Sequence, residues 1–436
     1  MNYLLCRRLR FYLTVAFTVA LTIPGWSQDK LDAWPSKVIP QPLGVQLKPH
    51  NMEAKFIDEV KALGIPLVRR GFHWNRIEKE KGTYDWSLYD RFVADCEARG
   101  IRILGMIGPG NSLYPQPWEK GGPEAYAKFA ADLVTRYRGK DIIWEIWNEP
   151  NVPHFWRKDA KRGNTKEFAE EYYGLVKVAA PAIKQASPES ILLAGSVSNM
   201  WSRSYEWMDH IFAMGVLDTG IDGWSVHPYG VKSPEMYLEA YQIVRDMMVK
   251  HGGSRDFPMA NTERGFPTKH KEGFAGGDPK MAHEYQSWHL VRQYLIDLLC
   301  GIEFTIWYEF HTVRDKPFSL INGDKKEPAY FACQYLLKTL DGYSLDQRID
   351  LQAELDFALR FTHPDGGVRI VAWTGPPRNQ TADKAVPHDV EIPVEGAGTS
   401  VTVTDIYGRE SKPVPVRAGK VTVRLTGAPV YLTVRP

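Results

Sequence analysis

The sequence contains few cysteines for its length, four among 436 residues. Cys6 lies in an N-terminal stretch that we expect to be removed, so the mature chain keeps Cys96, Cys300 and Cys333. An odd number of cysteines on segments with helical patterning argues against a disulfide framework, although one bond between Cys300 and Cys333 stays open. The fold must therefore be stabilised by a large apolar core, which a chain of this length can build.

The sequence also lacks an excess of charge, because 54 Lys and Arg residues nearly balance 52 Asp and Glu residues. Without a basic field there is no electrostatic basis for a nucleic-acid partner, and we expect none. Motifs for bound groups are missing too. The 12 histidines form no His-x-x-x-His pair, no Gly-x-Ser-x-Gly elbow occurs, and Gly108–Asn111 lacks the context of a phosphate-binding loop. We expect neither a metal site nor a cofactor.

Long hydrophobic runs are absent except near the N-terminus, where three arginines precede the mostly apolar stretch Phe11–Ile23. This stretch is too short to span a bilayer, and small residues follow it at Gly25 and Ser27. We therefore expect residues 1–27 to be a cleavable signal peptide and the protein to be secreted or periplasmic, with no membrane partner after cleavage. An uncleaved membrane anchor is the alternative.

From Leu43 onward, apolar runs alternate with segments of helical periodicity. The runs predicted as strands are Leu43–Leu47, Pro66–Gly71, Ile101–Ile107, Ile142–Trp147, Ile191–Ala194, Gly223–His227, Phe257–Glu263 and Phe304–Glu309. Eight strand–helix alternations in about 300 residues predict a (β/α)8 TIM barrel, an α/β fold, at residues 35–341. An open doubly wound sheet is the alternative, but no glycine-rich dinucleotide fingerprint follows an early strand.

The patterning changes after about residue 341, where period-two alternation replaces helical periodicity. The new runs are Phe357–Phe361, Val368–Trp373, Val390–Ile392, Val401–Ile406, Val421–Leu425 and Val430–Val434. Turn clusters such as His363–Gly367 separate them. We expect residues 342–436 to form a small all-β sandwich domain that packs against the barrel, with carbohydrate binding as its alternative role.

The chain is organised around Ile142–Asn151, an apolar run that ends in Asn-Glu-Pro. Pro150 has no N–H to give to a strand ladder, so the strand stops where Asn148 and Glu149 stand. Two polar side chains are thereby placed at the rim of a rigid element, which is how a reacting group is held in position.

Polar and aromatic side chains also follow the carboxyl ends of the other predicted strands, the end of a barrel where functional residues collect. Together with Asn148 and Glu149 they are Arg69, Trp74, Asn111, His227, Tyr229, Glu263 and Trp307. Two carboxylates surrounded by arginine, amide, imidazole, phenol and indole groups are what hydrolysis of a glycosidic bond needs. We therefore predict Glu149 and Glu263 as catalytic residues and the others as substrate-binding residues.

Breaking an acetal C–O bond requires a proton on the departing oxygen and electrons at the anomeric carbon, so one carboxyl must be protonated while the other is ionised. Arg69 and Tyr229 are suited to keeping the second carboxylate charged. Asn148 is suited to gripping a sugar hydroxyl, and Trp307 to giving the sugar ring an apolar floor. Arg70 as the inward arginine and Trp307 as barrel core are the alternatives.

The segment Trp144–Asn151 resembles the strand-4 signature of the retaining glycoside hydrolases of clan A. Within that clan the chain most resembles family 39 and its exopolysaccharide-hydrolase-like relatives. The resemblance continues through Ser225–Tyr229, Thr262–Pro267 and Pro328–Tyr330, and so covers nearly the whole barrel in order.

The resemblance implies a carbohydrate substrate and a retaining β-glycosidase that acts by double displacement, which the N-terminal segment predicts to be secreted. It implies that Glu149 is the general acid/base, that Glu263 is the nucleophile, and that Asn148 meets the substrate 2-hydroxyl. His227 and Tyr229 would border the nucleophile. The enzyme would cleave a polysaccharide or oligosaccharide, and no cofactor is implied.

Two residues depart from the family pattern, Arg264 where relatives often have an aromatic or small residue and Gly71 where many have Asp. They affect the expected subsite preferences and leave the expected mechanism unchanged. Glu145 is expected to be packed in the barrel interior or to be a supporting partner, rather than to be catalytic. An exo-acting β-xylosidase or β-glucosidase and a non-catalytic carbohydrate-binding barrel are the competing interpretations. The sugar, the linkage and the oligomeric state stay open.

Overall fold

The computed structural model describes residues 34–268, 278–311, 316–378, 380–381, 384–409 and 413–434. The predicted signal peptide at 1–27 lies outside these ranges. Within them, no helix has the length and apolarity that crossing a membrane requires.

Eight parallel strands close into a barrel, which confirms the predicted (β/α)8 fold. They are β1 (Leu43–Gln46), β2 (Leu67–Phe72), β3 (Arg102–Ile107), β4 (Ile142–Ile146), β5 (Leu192–Ser198), β6 (Gly223–His227), β7 (Met259–Arg264) and β8 (Thr305–Trp307). The barrel closes because β1 pairs with both β2 and β8, with Gly44 opposite Leu67 and Leu43 opposite Thr305.

Helices connect the strands and cover the outside of the barrel. Those in the described ranges are α1 (Ala54–Leu63), α2 (Trp74–Ile77), α3 (Ser87–Glu97), α4 (Gly122–Arg136), α5 (Lys166–Ala186), α6 (Ser202–Ala213), α7 (Tyr237–Lys250), α8 (Pro279–Leu299) and α9 (Pro328–Thr339). Local side-chain and backbone contacts determine where these helices begin and end. The Thr165 side chain caps α5 by accepting from Phe168 N, and Gly64 ends α1 in the left-handed conformation that glycine adopts without strain.

The barrel interior has an apolar layer and, above it, a polar one. The apolar layer lies near the amino ends of the strands and contains Leu67, Leu104, Ile143, Leu193, Ala260, Phe304 and Ile306. Side chains alternate along a strand, so the next inward positions on β2 and β4 are Arg69 and Glu145. The apolar layer therefore supports a buried charged layer directly beneath the carboxyl-terminal mouth.

An irregularity in β7 determines which of its residues faces inward. Asn261 lies opposite Thr305 and Arg264 lies opposite Trp307, so β7 contains one more residue than β8 over this interval. Such a bulge changes the side-chain alternation of the strand. It accompanies the inward position of Glu263, which contacts Arg69.

The C-terminal residues form antiparallel sheets, as expected. Strands β9 (Ser344–Arg348), β10 (Asp356–Thr362), β11 (Val368–Thr374), β13 (Ser400–Thr404), β14 (Val414–Pro415) and β16 (Val430–Val434) form one sheet, and β12 (His388–Pro393) pairs with β15 (Lys420–Leu425). Apolar side chains of both sheets share one core. The domain limits 35–341 and 342–436 stay predictions.

The second face of the larger sheet packs on the barrel. Phe357, Trp373 and Tyr431 belong to the same apolar cluster as the barrel helices. The Trp373 indole donates to Glu235 Oε1 at 2.8 Å, and Arg292 on α8 pairs with the same carboxylate. These buried contacts support the structural role expected for this domain.

The described cysteines Cys96, Cys300 and Cys333 are free thiols. The bond between Cys300 and Cys333 that the sequence left open is therefore not formed. Burial raises the pKa of the Cys96 thiol to about 12, so this thiol stays protonated.

Candidate active site

The carboxyl ends of four strands bring the two predicted catalytic carboxylates and their neighbours together. Arg69 lies in β2 and Glu263 in β7, His227 is the last residue of β6, and Glu149 follows the end of β4. Side-chain atoms of Glu149, His227 and Glu263 lie within 4.8 Å of one another. Two glutamates far apart in the chain thus face each other across a short gap.

The Glu149 carboxylate is buried and held by an imidazole. His227 Nδ1 lies 2.9 Å from Glu149 Oε1, and His227 Nε2 lies 3.0 Å from the hydroxyl of Ser196. The backbone N–H of Glu149 points at the same hydroxyl, at 3.5 Å. Ser196 therefore orients the imidazole, and the imidazole in turn fixes the carboxylate.

The Glu263 carboxylate has different partners. Arg69 Nη1 donates to its Oε2 at 2.8 Å, and the Tyr229 hydroxyl donates to its Oε1 at 3.2 Å. One carboxyl of the pair thus contacts a permanent cation and a phenol, whereas the other contacts an imidazole. This asymmetry is what two carboxyls with different roles require.

Arg69 is the centre of the charged layer. Its side chain is 1% exposed, and its Nε and Nη2 donate to Glu145 Oε2 at 2.9 and 2.7 Å. Nη2 also donates to Asn148 Oδ1 at 2.8 Å. The inward arginine is therefore Arg69, and Glu145 is its supporting partner, as the sequence analysis favoured.

The charge states of the Glu263 partners follow from this geometry. Burial by itself lowers the pKa of Arg69, but the adjacent Glu145 and Glu263 carboxylates outweigh it and the net pKa is raised. Burial, with the Glu263 charge, also raises the pKa of Tyr229 well above its ordinary value. Arg69 is thus a cation and Tyr229 a neutral donor at every working pH.

Strained backbone surrounds the carboxylate pair. Four of the seven described non-glycine residues with positive φ lie beside it: Trp147 (φ 68°), Glu149 (φ 47°), Ser196 (φ 50°) and Asn199 (φ 68°). Such conformations cost free energy and cluster where side-chain placement matters for function. Hydrogen bonds hold them in place, including Asn199 N to His227 O at 3.0 Å.

Arg264, the residue after Glu263, packs against Tyr229. Its guanidinium sits 4.9 Å from the centre of the Tyr229 ring. It also donates to the Tyr237 hydroxyl at 3.1 Å and to the carbonyl oxygens of Gly265 and Val231. Arg264 thereby fixes the ring whose hydroxyl reaches Glu263.

Three of the predicted substrate-binding residues are buried and have partners outside the carboxylate pair. Trp74 is buried in α2, where its indole donates to Glu78 and stacks against Tyr114. Asn111 is buried and donates to Glu78 O at 2.8 Å. Trp307 is fully buried and faces the helix layer, because its neighbour Ile306 occupies the inward position of β8.

The sequence contains no metal motif, yet three of the described site residues are close enough to hold a cation. These are Glu149, His227 and Glu263. Their ligand atoms already take part in hydrogen bonds, since Glu149 Oε1 contacts His227 and both Glu263 oxygens accept from Tyr229 and Arg69. The donor set is that of an acid–base site next to a guanidinium, which disfavours a second positive charge.

Ser196 is a member of this contact network that was not predicted from the sequence. It lies inside β5, two residues beyond the predicted strand end at Ala194, and β5 is irregular between Ala194 and Val197. The dipeptide Gly195-Ser196 was the available signal, because glycine inside a strand pattern indicates a bulge.

A closed (β/α)8 barrel with two facing carboxylates at the ends of β4 and β7 defines the class of barrel glycoside hydrolases. Residues 38–234 match the family described as Cellulase (glycosyl hydrolase family 5). The chain contains a clan A glycoside hydrolase domain, which confirms the resemblance drawn from the sequence.

Individual proteins of known identity agree with this class. A beta-xylosidase of Geobacillus stearothermophilus is 26% identical over 174 residues, which are 35% of this chain and 32% of that protein. A beta-xylosidase of Caldicellulosiruptor saccharolyticus is 24% identical over 181 residues, or 40% of this chain and 30% of that protein. The matched region thus spans about a third of the length of these relatives.

Solved structures share the fold over most of the chain. A family 39 glycoside hydrolase from Bacteroides cellulosilyticus WH2 has a TM-score of 0.70 at 21% identity, covering 90% of this chain and 81% of that one. A monomeric beta-xylosidase from Caulobacter crescentus CB15 has a TM-score of 0.63 at 16% identity, covering 91% and 96%. At these identities the likeness concerns the fold.

Proposed function

We propose that this protein is a secreted retaining β-glycoside hydrolase, with Glu263 as nucleophile and Glu149 as general acid/base. The observation that carries the proposal is the short gap between the two side chains, since one carboxylate oxygen of each lies within 4.8 Å of the other. Retaining enzymes hold the two carboxyls about 5–5.5 Å apart, whereas inverting enzymes need about 6.5–9.5 Å to admit a water between them.

In the first step Glu263 attacks the anomeric carbon, the C–O bond to the leaving group breaks, and Glu149 gives its proton to the departing oxygen. The product of this step is a glycosyl ester on Glu263. In the second step Glu149 takes a proton from water, the water oxygen bonds to the anomeric carbon, and Glu263 leaves as a carboxylate. Two displacements at one carbon retain its configuration.

The neighbours of each carboxylate support these roles. The contact from Arg69 at 2.8 Å favours a charged Glu263, which a nucleophile must be. His227 at 2.9 Å gives Glu149 a partner that can accept or donate a proton as the cycle requires. Asn148 offers its amide to a sugar hydroxyl, because Arg69 occupies its Oδ1.

β-Xylosides are the first substrates to test, because the curated relatives are named beta-xylosidases. Glucosides and mannosides belong in the same panel. Export through a signal peptide at residues 1–27 completes the proposal, and sequencing the N-terminus of the mature protein tests that part directly.

Leaving-group chemistry tests the roles of the two carboxylates. Glu263→Gln is expected to abolish turnover of every substrate. Glu149→Ala is expected to retain the first step for aryl glycosides with good leaving groups and to stall the second, and added azide should restore turnover by replacing water as the attacking group. Equal loss in both variants on every leaving group, without azide rescue, would contradict the assignment.

A further inference from the structure

Exposed aromatic side chains are few in the described ranges, and two of them lie at the mouth of the barrel. Trp201 is 50% exposed, Phe155 is 40% exposed, and the third, Phe331 on α9, is 47% exposed. Phe155 lies in the loop between β4 and α5, and Trp201 lies in the loop between β5 and α6. These two loops follow neighbouring strands, and the first of them also carries Glu149.

Both aromatic residues stand on fixed backbone. Phe155 O accepts from the Trp147 indole at 3.1 Å, and the His154 ring meets the Phe155 ring edge-on at 4.9 Å. The carbonyl of Trp201 accepts from Ser204 N and Tyr205 N, which begins α6. A rigid base beneath an exposed ring limits the entropy lost when a ligand binds.

The two loops are also joined to each other and to the catalytic strands. Asn151 Nδ2 donates to Ser198 O and Ser198 N donates to Asn151 Oδ1, both at 2.9 Å. Met200 N, next to Trp201, donates to Tyr229 O at 2.8 Å. The loops that carry the two exposed rings are therefore tied to the strand ends that hold Glu149 and Tyr229.

The position of the proton donor Glu149 determines which part of a substrate lies beside these two loops. The sugar whose bond is cut must contact Glu263 and Asn148, which Arg69 on β2 holds together. The leaving group must reach the proton of Glu149, which lies in the loop after β4, so we place it on the side of that loop and of the neighbouring loop after β5. The flat faces of indole and phenyl rings fit the C–H faces of a pyranose, which are its apolar surfaces.

We propose that Phe155 and Trp201 form a binding site for the sugar units of the leaving group, so that the natural substrate is an oligosaccharide or polysaccharide whose chain continues past the cut bond. This inference rests on the proposed function and adds the class of leaving group to it. A small alkyl or aryl leaving group would gain less from these two rings than a chain of sugar units.

The test compares leaving groups on one glycone. Wild type, Trp201→Ala, Phe155→Ala and the control Phe331→Ala are assayed on β-1,4-xylo-oligosaccharides of increasing length and on 4-nitrophenyl β-xyloside, with cello- and manno-oligosaccharides in parallel. We expect wild-type kcat/KM to rise with chain length. Loss of one stacking face should lower kcat/KM for the long substrates by about tenfold, mainly through KM, and by less for the aryl glycoside.

Two controls keep the interpretation specific. Trp201→Phe keeps an aromatic face and should retain most of the length dependence, whereas Phe331→Ala should match wild type at every length. An active wild type whose length dependence survives both alanine substitutions overturns this inference alone. If the wild-type protein cleaves none of the β-glycosides in the panel, the proposed function itself is overturned.

Discussion

Replacing Arg69 by methionine separates what this guanidinium does for stability from what it does for Glu263. Arg69 is 1% exposed and holds the fully buried Glu145 with two hydrogen bonds of 2.9 and 2.7 Å. Arg69→Met leaves that carboxylate without a counter-charge, which costs about 3–5 kcal/mol of folding free energy. It also removes the charged 2.8 Å bond to Glu263. Losing this bond should cost about 1.5–3 kcal/mol of transition-state stabilisation, which lowers kcat/KM by about 10-fold to 150-fold.

A second substitution tells the two effects apart. In the double variant Arg69→Met with Glu145→Leu, both members of the buried ion pair become apolar, and such replacements are often nearly neutral for stability. We therefore expect the unfolding free energy to return to within about 1–2 kcal/mol of wild type. The kcat/KM should stay low, because Glu263 still lacks its guanidinium.

Urea unfolding followed by tryptophan fluorescence gives the stability of each variant, and initial rates on an aryl β-glycoside give kcat/KM. The reasoning is refuted if Arg69→Met with Glu145→Leu regains activity together with stability. That outcome would mean that Arg69 acts on catalysis only by keeping the barrel folded.

Three further predictions concern neighbouring groups. Arg264→Met removes the cation 4.9 Å from the Tyr229 ring. We expect about fivefold lower kcat/KM, with no further loss in a Tyr229→Phe background, and additive losses in this double-mutant cycle would contradict the coupling. Burial, together with nearby Arg76, lowers the pKa of Arg70 to about 10. Below that pH the buried charge destabilises the folded state, and this cost decreases only as the pH rises above it. Arg70→Met should raise the urea unfolding free energy at neutral pH by about 1–3 kcal/mol, whereas a decrease would show that the charge has a favourable partner. Burial and the charge of Arg70 lower the pKa of His73 to about 3, so its contribution to stability is complete above about pH 6.5 and is lost as the pH falls. His73→Gln should flatten the acid part of the stability curve measured by circular dichroism, and an unchanged slope would contradict this.

Periodicity was sufficient to predict the barrel, because its strands are apolar and its helices amphipathic. Asn-Glu-Pro after β4 and Glu263 in β7 could also be recognised from periodicity. Each follows an apolar run, and such a run ends at the carboxyl-terminal mouth of the barrel. The single turn α2 (Trp74–Ile77) was not predicted, because four residues carry no helical period.

Side-chain direction beyond a strand end is what the sequence did not contain. Trp74 directs its indole into the helix layer because the chain turns into α2 at that residue. Trp307 faces outward because β8 alternates from Ile306. Glu263 and Ser196 depend on irregular strand pairing in β7 and β5, which apolar alternation does not predict, although Gly195 was a local signal for the second irregularity.

The central claim is that Glu263 becomes covalently attached to the sugar while Glu149 moves the proton. Its most direct test uses an activated 2-deoxy-2-fluoro-β-glycoside, which slows release of the glycosyl-enzyme, followed by peptide mass spectrometry. The account predicts one glycosyl group per chain, on Glu263, and its disappearance in Glu263→Gln. A label on another side chain, or full turnover with inverted configuration and no label, would contradict it.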